Sequence, residues 1–201
     1  MLWPLQTAAA LLFDCDGTLA DTMPAHFRAW TRVTRAHGLA FDERRFYAFA
    51  GRPTRDIAAT LAAEAGLAID VDGAATAKEE SFLEEIAGVR PIHPVVEVVR
   101  RARGRVPIAV VTGGHRHVCR RILAQVGLAD VFDALVASED TDRHKPDPDP
   151  FLEAARRLGV APGRCVVWED SDLGIEAARR AGMEWIDVRA LHPPLAAGAA
   201  P

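Results

Sequence analysis

Between Ile108 and Val188 four short apolar runs, Ile108-Ala109-Val110-Val111, Ala134-Leu135-Val136-Ala137, Cys165-Val166-Val167-Trp168 and Trp185-Ile186-Asp187-Val188, alternate with stretches of helical periodicity. Strands that alternate with helices imply a parallel sheet, because parallel neighbours can be joined only by a long crossover. His115 to Val126, Pro148 to Leu158 and Asp172 to Ala181 have the length of such crossovers, and each ends at or beside a glycine, Gly127, Gly159 or Gly182. A further apolar run, Ala9 to Phe13, precedes them all and stops at Asp14-Cys15-Asp16-Gly17-Thr18, which reads as a buried central strand entering a turn.

The region from Pro24 to Gly88 differs. Its apolar residues fall at helical spacing, as in Phe27, Trp30, Val33 and Thr34, then Ile57, Leu61 and Ala65, then Phe82, Leu83 and Ile86. Gly38, Gly51, Gly66 and Gly73 are expected to divide it into several helices. The expected architecture is α/β: a doubly wound Rossmann-like parallel-sheet core formed by residues 1–20 and 90–201, with residues 21–89 inserted as an all-helical cap. The stretch Leu191 to Pro201, rich in Pro, Ala and Gly, carries no recognisable chemistry and is expected to be mobile.

Composition narrows the partners. With 28 acidic and 24 basic residues mixed along 201 positions, the net charge of -4 creates no broad field for nucleic acid or an anionic membrane. Cys15, Cys119 and Cys165 are odd in number and widely spaced, so neither a disulfide framework nor a zinc knuckle is indicated. No apolar run approaches the roughly 20 residues of a membrane helix, and no secretory signal is evident at the start, so a cytoplasmic location is expected. The chain contains no GxGxxG turn, Walker lysine loop or HExxH helix. A monomer acting on a small molecule, with neither nucleic acid nor membrane as partner, is the expectation.

In an open α/β sheet, ligands bind beyond the carboxyl ends of the strands. Four polar clusters stand there: Asp14 to Thr18, Thr112-Gly113-Gly114, His144-Lys145-Pro146 and Glu169-Asp170-Ser171. Each alone also suits a turn or a helix entry. Together they bring several carboxylates and one lysine to one edge, which suits phosphoryl transfer assisted by a hard, oxygen-binding cation. Magnesium is the expected cofactor, with Asp14, Asp170 and a backbone carbonyl at Asp16 as ligands and Glu169 at the edge of the metal shell. Asp14, with a reference pKa of about 3.9, is ionised at neutral pH and needs no base to attack phosphorus. The Thr112 hydroxyl, the Gly113 amide and Lys145 suit the phosphate oxygens. Asp16, two residues on, is placed to protonate the leaving alkoxide and then to activate water.

These residues, in this order, resemble the four motifs of the haloacid dehalogenase superfamily: DCDGT at 14–18, the threonine at 112, the lysine at 145 and the acidic pair at 169–170. The helical insert after the first motif is similar to the cap of the beta-phosphoglucomutase-like subgroup. The segments DTMPAHFRAW, GRPTRDIA, HKPDPDPF and WEDSDLGIEAARRAGM are similar to a bacterial branch of fructose-1-phosphate and 6-phosphogluconate phosphatases. The resemblance implies that Asp14 is the nucleophile, Asp16 the acid and base, Asp170 a metal ligand and Lys145 the phosphate anchor. It also implies a magnesium-dependent phosphatase of small phosphate monoesters, such as sugar phosphates, working through an aspartyl phosphate; dehalogenation is disfavoured because the halide-releasing branch lacks the second aspartate.

By the same resemblance, His26, Trp30 and Lys78 match cap residues of the mutase relatives. The cap arginine that grips a distal phosphate in those relatives is displaced, with Thr54 in its place and Arg52 and Arg55 nearby. His26 and Trp30, four apart on one helix, also suit plain packing, and Lys78 and the two arginines suit a solvated surface. Two other functions fit the core motifs. One is a phosphosugar mutase that returns the phosphoryl group to its substrate. The other is a receiver-like signalling module that accepts a phosphoryl group, a reading opposed by the large insert and by the first-strand position of DCDGT.

Overall fold

The computed structural model describes residues 8–191. Strand β1, Ala10–Phe13, leads through the turn at Asp14 to the two-residue strand β2, Ala20–Asp21, and then into four helices: α1, Met23–Ala36; α2, Glu43–Ala48; α3, Thr54–Ala65; and α4, Val71–Glu84. The chain returns through β3, Arg90–Pro91, and continues as α5, His93–Ala102; β4, Ile108–Val111; α6, Arg116–Gln125; β5, Ala134–Val136; α7, Asp149–Leu158; β6, Cys165–Glu169; α8, Asp172–Arg180; and β7, Glu184–Asp187.

The main sheet has the order β5-β4-β1-β6-β7 with every pair parallel, so β1 is central as its apolar sequence requires. Its side chains divide with the two-residue period of a strand. Leu11 and Phe13, with Ile108, Val110, Val166 and Trp168, meet α5 and α6 on one face. Ala10 and Leu12, with Ala109, Val111, Cys165 and Val167, meet α7 and α8 on the other. Burial on both faces explains why these strands are continuous apolar runs rather than alternating ones. Helices leave β1 and β6 toward opposite faces, which makes the gap between these neighbours the topological switch point where a ligand site is expected.

The insert between β1 and β4 is helical, as expected, and has its own apolar cluster of Met23, Trp30, Leu39, Phe46, Ile57, Ala58 and Leu61. It is not sealed off from the rest, because Ala25 and Ala29 of α1 and Phe82 of α4 join the cluster that covers the sheet. Its two chain crossings are paired: Ala20 lies opposite Pro91 and Asp21 opposite Arg90 in an antiparallel ribbon. Gly73 does not divide helices as expected; it lies in the first turn of α4, where its N–H donates to the capping carboxylate of Asp70 at 2.9 Å. The expectation for the tail falls outside the described residues beyond Leu191. No helix of the described residues is long and apolar enough to cross a membrane. Cys15, Cys119 and Cys165 are all free and buried.

Candidate active site

Asp14 follows the last residue of β1, and its backbone N–H donates to the carbonyl of Trp168 at 2.9 Å, which fixes it beside the end of β6. The ammonium of Lys145 reaches under the loop from the β5–α7 connection and donates to Asp14 Oδ1 at 2.6 Å, to Glu169 Oε2 at 2.7 Å and to the carbonyl of Val111 at 3.2 Å. Burial opposes a charged lysine, but Asp14 and Glu169 outweigh it and raise the Lys145 pKa. Glu169 is wholly buried, and its other oxygen accepts from the amides of Asp170 and Ser171 and from the Ser171 hydroxyl, at 3.2, 3.0 and 2.8 Å. Ser171 in turn caps α8 by accepting from the Gly174 N–H at 3.0 Å.

Asp14, Glu169 and Asp170 form an acidic cluster with one oxygen of each within 4.8 Å of the others. Burial, and then repulsion from Glu169, push Asp170 up to about 8 and raise Asp14 well above the usual carboxylate range. Three carboxylates with one lysine are short of positive charge. Gly17 makes the close approach possible: its φ of +80° favours glycine, and a side chain there would collide with the Asp170 carboxylate. The Thr18 hydroxyl donates to Asp170 Oδ1 at 3.2 Å.

Asp16 is held from the insert. Its Oδ1 accepts from the Thr22 hydroxyl at 2.8 Å and lies 2.9 Å from His26 Nε2, while His26 Nδ1 lies 2.9 Å from the ammonium of Lys78. An ammonium has only protons to give, so Nδ1 accepts, the ring proton sits on Nε2, and His26 donates to Asp16. Burial disfavours the Asp16 carboxylate, yet His26, Thr22 and Lys78 together hold it at about 2. The remaining oxygen, Oδ2, faces Thr112, whose hydroxyl is 3.5 Å away and accepts from the Gly114 N–H at 3.0 Å. Gly113 lies where a side chain would strike the backbone carbonyl of Gly51, so the α2–α3 loop of the insert closes directly over the strand end.

Thus Asp14, Asp16, Thr112, Gly113, Glu169 and Asp170 line one cavity together with His26, Trp30, Arg52 and Lys78, and Lys145 lies directly beneath it. The cavity encloses about 70 Å³. His26 is packed as well as placed on the cavity: its ring stacks on Phe82 with centroids 3.8 Å apart. Trp30 is buried against Phe41 with the Lys78 ammonium over its ring. Lys78 is not a solvated helix lysine but is 4% exposed. Arg55 is not brought to the cavity. Thr54 turns inward to donate to Glu79, and the next residue of a helix points about 100° away, so Arg55 lies exposed and pairs with Asp72 at 2.7 Å.

Thr22 and Glu79 escaped the sequence reading. Thr22 follows a two-residue strand with no periodic signal, and Glu79 stands in the run Lys78-Glu79-Glu80, which reads as a solvated face.

A parallel α/β sheet with a lysine-paired aspartate and an acidic cluster at its switch point is an arrangement suited to phosphoryl transfer. A family model described as haloacid dehalogenase-like hydrolase matches residues 8–182, and the chain belongs to that family. It is an enzyme of that class, in the phosphatase part of the family where its curated relatives lie. It is 43% identical over 184 residues to the fructose-1-phosphate phosphatase YqaB of Escherichia coli, covering 91% of this chain and 97% of the relative. It is 32% identical to the validoxylamine A 7'-phosphate phosphatase of Streptomyces hygroscopicus subsp. limoneus, covering 90% and 85%. Among solved structures, CbbY from Rhodobacter sphaeroides in complex with phosphate superposes with a TM-score of 0.81 at 26% identity, covering 90% of this chain and 85% of that one. A beta-phosphoglucomutase of Clostridium difficile also superposes with a TM-score of 0.81, over 90% and 84%; at 20% identity this shows the shared fold.

Proposed function

We propose that this hydrolase releases phosphate from small phosphate monoesters, with sugar phosphates as its natural class, through an aspartyl phosphate on Asp14. The observation that carries the reading is the Asp14 carboxylate fixed at the switch point with Lys145 on one oxygen and Asp170 beside it. The name of the Escherichia coli relative, a fructose-1-phosphate phosphatase, supports the substrate class.

The donor set fits magnesium. It offers hard oxygens, and the raised Asp14 and Asp170 carboxyls are what a cation between them relieves. Asp14 and Asp170, with the backbone carbonyl of Asp16, would hold it; Glu169, whose oxygens already have donors, instead fixes Lys145 and the loop. Once bound, the ion supplies charge neutralisation for the phosphate oxygens. The other contributions come from the chain. Lys145, on giving up its longest bond, to the Val111 carbonyl at 3.2 Å, anchors a phosphate oxygen as well as Asp14, and the Thr112 hydroxyl and Gly113 amide donate to the rest. Asp14 attacks phosphorus while the ester oxygen leaves with a proton from Asp16. Asp16 rests as a carboxylate, and the negative charge of arriving phosphate favours the proton it will hand on. As a carboxylate again, it takes a proton from the water that opens the aspartyl phosphate.

Residues 21–89 act as a cap. A cavity of about 70 Å³ is far below the roughly 300–1,000 Å³ of small-molecule sites, so substrate enters when the cap lifts and reaction follows when it closes.

The test of the overall reading is phosphate release from a panel of sugar phosphates by purified protein with magnesium; no turnover of any member sinks it. Two narrower results are expected. Chelation removes activity, magnesium restores it and calcium does not, because calcium's larger and looser coordination misplaces the nucleophile; full activity after exhaustive chelation contradicts the metal assignment. Asp16→Ala lowers turnover of an alkyl phosphate by roughly 10²–10⁴-fold, the usual contribution of a general acid and base. The variant should accumulate acid-stable phosphoprotein when given an aryl phosphate, whose leaving group needs no proton. Steady-state rates on both esters, with trapping of labelled protein, check this, and equal losses with no trapped phosphoprotein would remove Asp16 from the role.

A further inference from the structure

Lys78 and Glu79 are consecutive on α4 and both are buried, at 4% and 6% exposed. Neighbours on a helix project about 100° apart, and these two side chains reach different helices. Lys78 meets His26 of α1 at 2.9 Å, and Glu79 meets Thr54, the first residue of α3. They also meet each other: Glu79 Oε1 accepts from the Thr54 hydroxyl and, at 3.2 Å, from the Lys78 ammonium, which lies 3.5 Å from Thr54 Oγ1. The bonds thus form one chain, from Glu79 through Lys78 and His26 to Asp16, which starts at a cap carboxylate and ends on the proposed proton donor.

The direction of that chain depends on the charge at its far end. An ammonium can only donate, so it holds His26 Nδ1 as an acceptor and leaves the ring proton on Nε2, facing Asp16. A neutral amine accepts as readily as it donates; it admits the other tautomer, whose bare Nε2 lone pair would face the Asp16 carboxylate. Burial favours the amine unless a carboxylate stands beside it. Glu79 is that carboxylate. It is ionised, because burial works against its charge but Lys78, His26 and Thr54 outweigh burial and lower its pKa.

We propose that Glu79 is a positioning residue for the acid and base: by holding Lys78 as an ammonium against His26, it fixes the ring proton on Nε2 and keeps the Asp16 carboxylate hydrogen-bonded in place. This rests on the phosphatase reading above and adds to it a residue that acts on Asp16 only through Lys78 and His26.

The test compares the native protein with Glu79→Gln, which keeps the shape and can still accept from Thr54 and Lys78 but carries no charge. Nitrogen NMR of histidine-labelled protein, with the His26 signal assigned through His26→Asn, is expected to show a single tautomer with the proton on Nε2 in the native protein and a mixture in Glu79→Gln. Values of kcat/KM for phenyl phosphate and 4-nitrophenyl phosphate read the consequence. The two esters share one ring and offer the cap no hydroxyls, kcat/KM extends only to formation of the phosphoenzyme, and phenolate, the poorer leaving group, depends more on a proton. Glu79→Gln is expected to lower kcat/KM for phenyl phosphate about tenfold more than for 4-nitrophenyl phosphate, part of the roughly 10²–10⁴-fold that a general acid contributes. A purely structural role would slow both esters alike. Native His26 with its proton on Nδ1 overturns the proposal without any variant. So does an unchanged tautomer, or an equal loss on the two esters, in a folded Glu79→Gln protein. Phosphate release by the native protein from neither ester nor any sugar phosphate overturns the phosphatase reading itself, and this proposal falls with it.

Discussion

Asp14→Asn is expected to lower phosphate release by on the order of 10⁴-fold or more while leaving the fold intact, because an amide is too poor a nucleophile to form the phosphoenzyme. The side chain keeps its size, and Lys145 can still donate to its carbonyl oxygen, so the buried loop has no steric reason to rearrange. One carboxylate fewer also relieves crowding among Asp14, Glu169 and Asp170. The variant should thus unfold at or above the native denaturant midpoint while being inert in single-turnover assays. Substantial turnover in a folded Asp14→Asn protein would sink the covalent mechanism.

The second large effect concerns stability. Lys145→Met is expected to cost about 3–5 kcal/mol of unfolding free energy at neutral pH, as well as activity, since it leaves two buried carboxylates without their cation. Methionine replaces most of the stem, so the loss reports charge rather than volume. The pH dependence has a definite sign. Burial and the neighbouring carboxylates push the Asp14 carboxyl up, and Lys145 alone among its main influences pulls it down. The Asp14 carboxyl is already raised with Lys145 present and is raised further without it, so the variant's folded state holds protons more tightly than the native one's and the difference in stability narrows as pH falls. In chelated buffer the deficit between variant and native protein should be largest near pH 7 and shrink toward pH 5. A deficit independent of pH would show that Lys145 is held for packing, not charge.

The sheet and the core half of the site were legible in the sequence for one reason: both are read along the chain. Strands buried on both faces must be apolar throughout, and polar clusters that follow them must stand at one edge, so Asp14, Thr112, Lys145 and Asp170 could be assembled without a structure. Helix α5 carried no equally clear signal, because Val95, Val96, Val98 and Val99 suit a strand as well as a helix. The ribbon of β2 and β3 is two residues long on each side and has no pattern to read. The cap side of the site was legible only in part. Which residue of Arg52, Thr54 and Arg55 faces the cavity depends on where α3 begins, and a shift of one position turns a side chain from cavity to solvent. Glu79 became visible only when the burial of α4 separated it from its exposed neighbour Glu80.

The pairing of β2 with β3 limits how the molecule can move. Two single tethers would let a moving cap slide, tilt and twist freely, whereas crossings held side by side in a ribbon would favour rotation about one axle. Asp16 sits at that axle, bridged to Ala20 and gripped by Thr22 and His26 of the moving side. On the cap reading proposed above, swinging the lid would also draw Asp16 back with it. While the door stood ajar to bulk water, the group proposed to activate water against an aspartyl phosphate would be withdrawn, and the stroke that admits a substrate would disarm the catalyst.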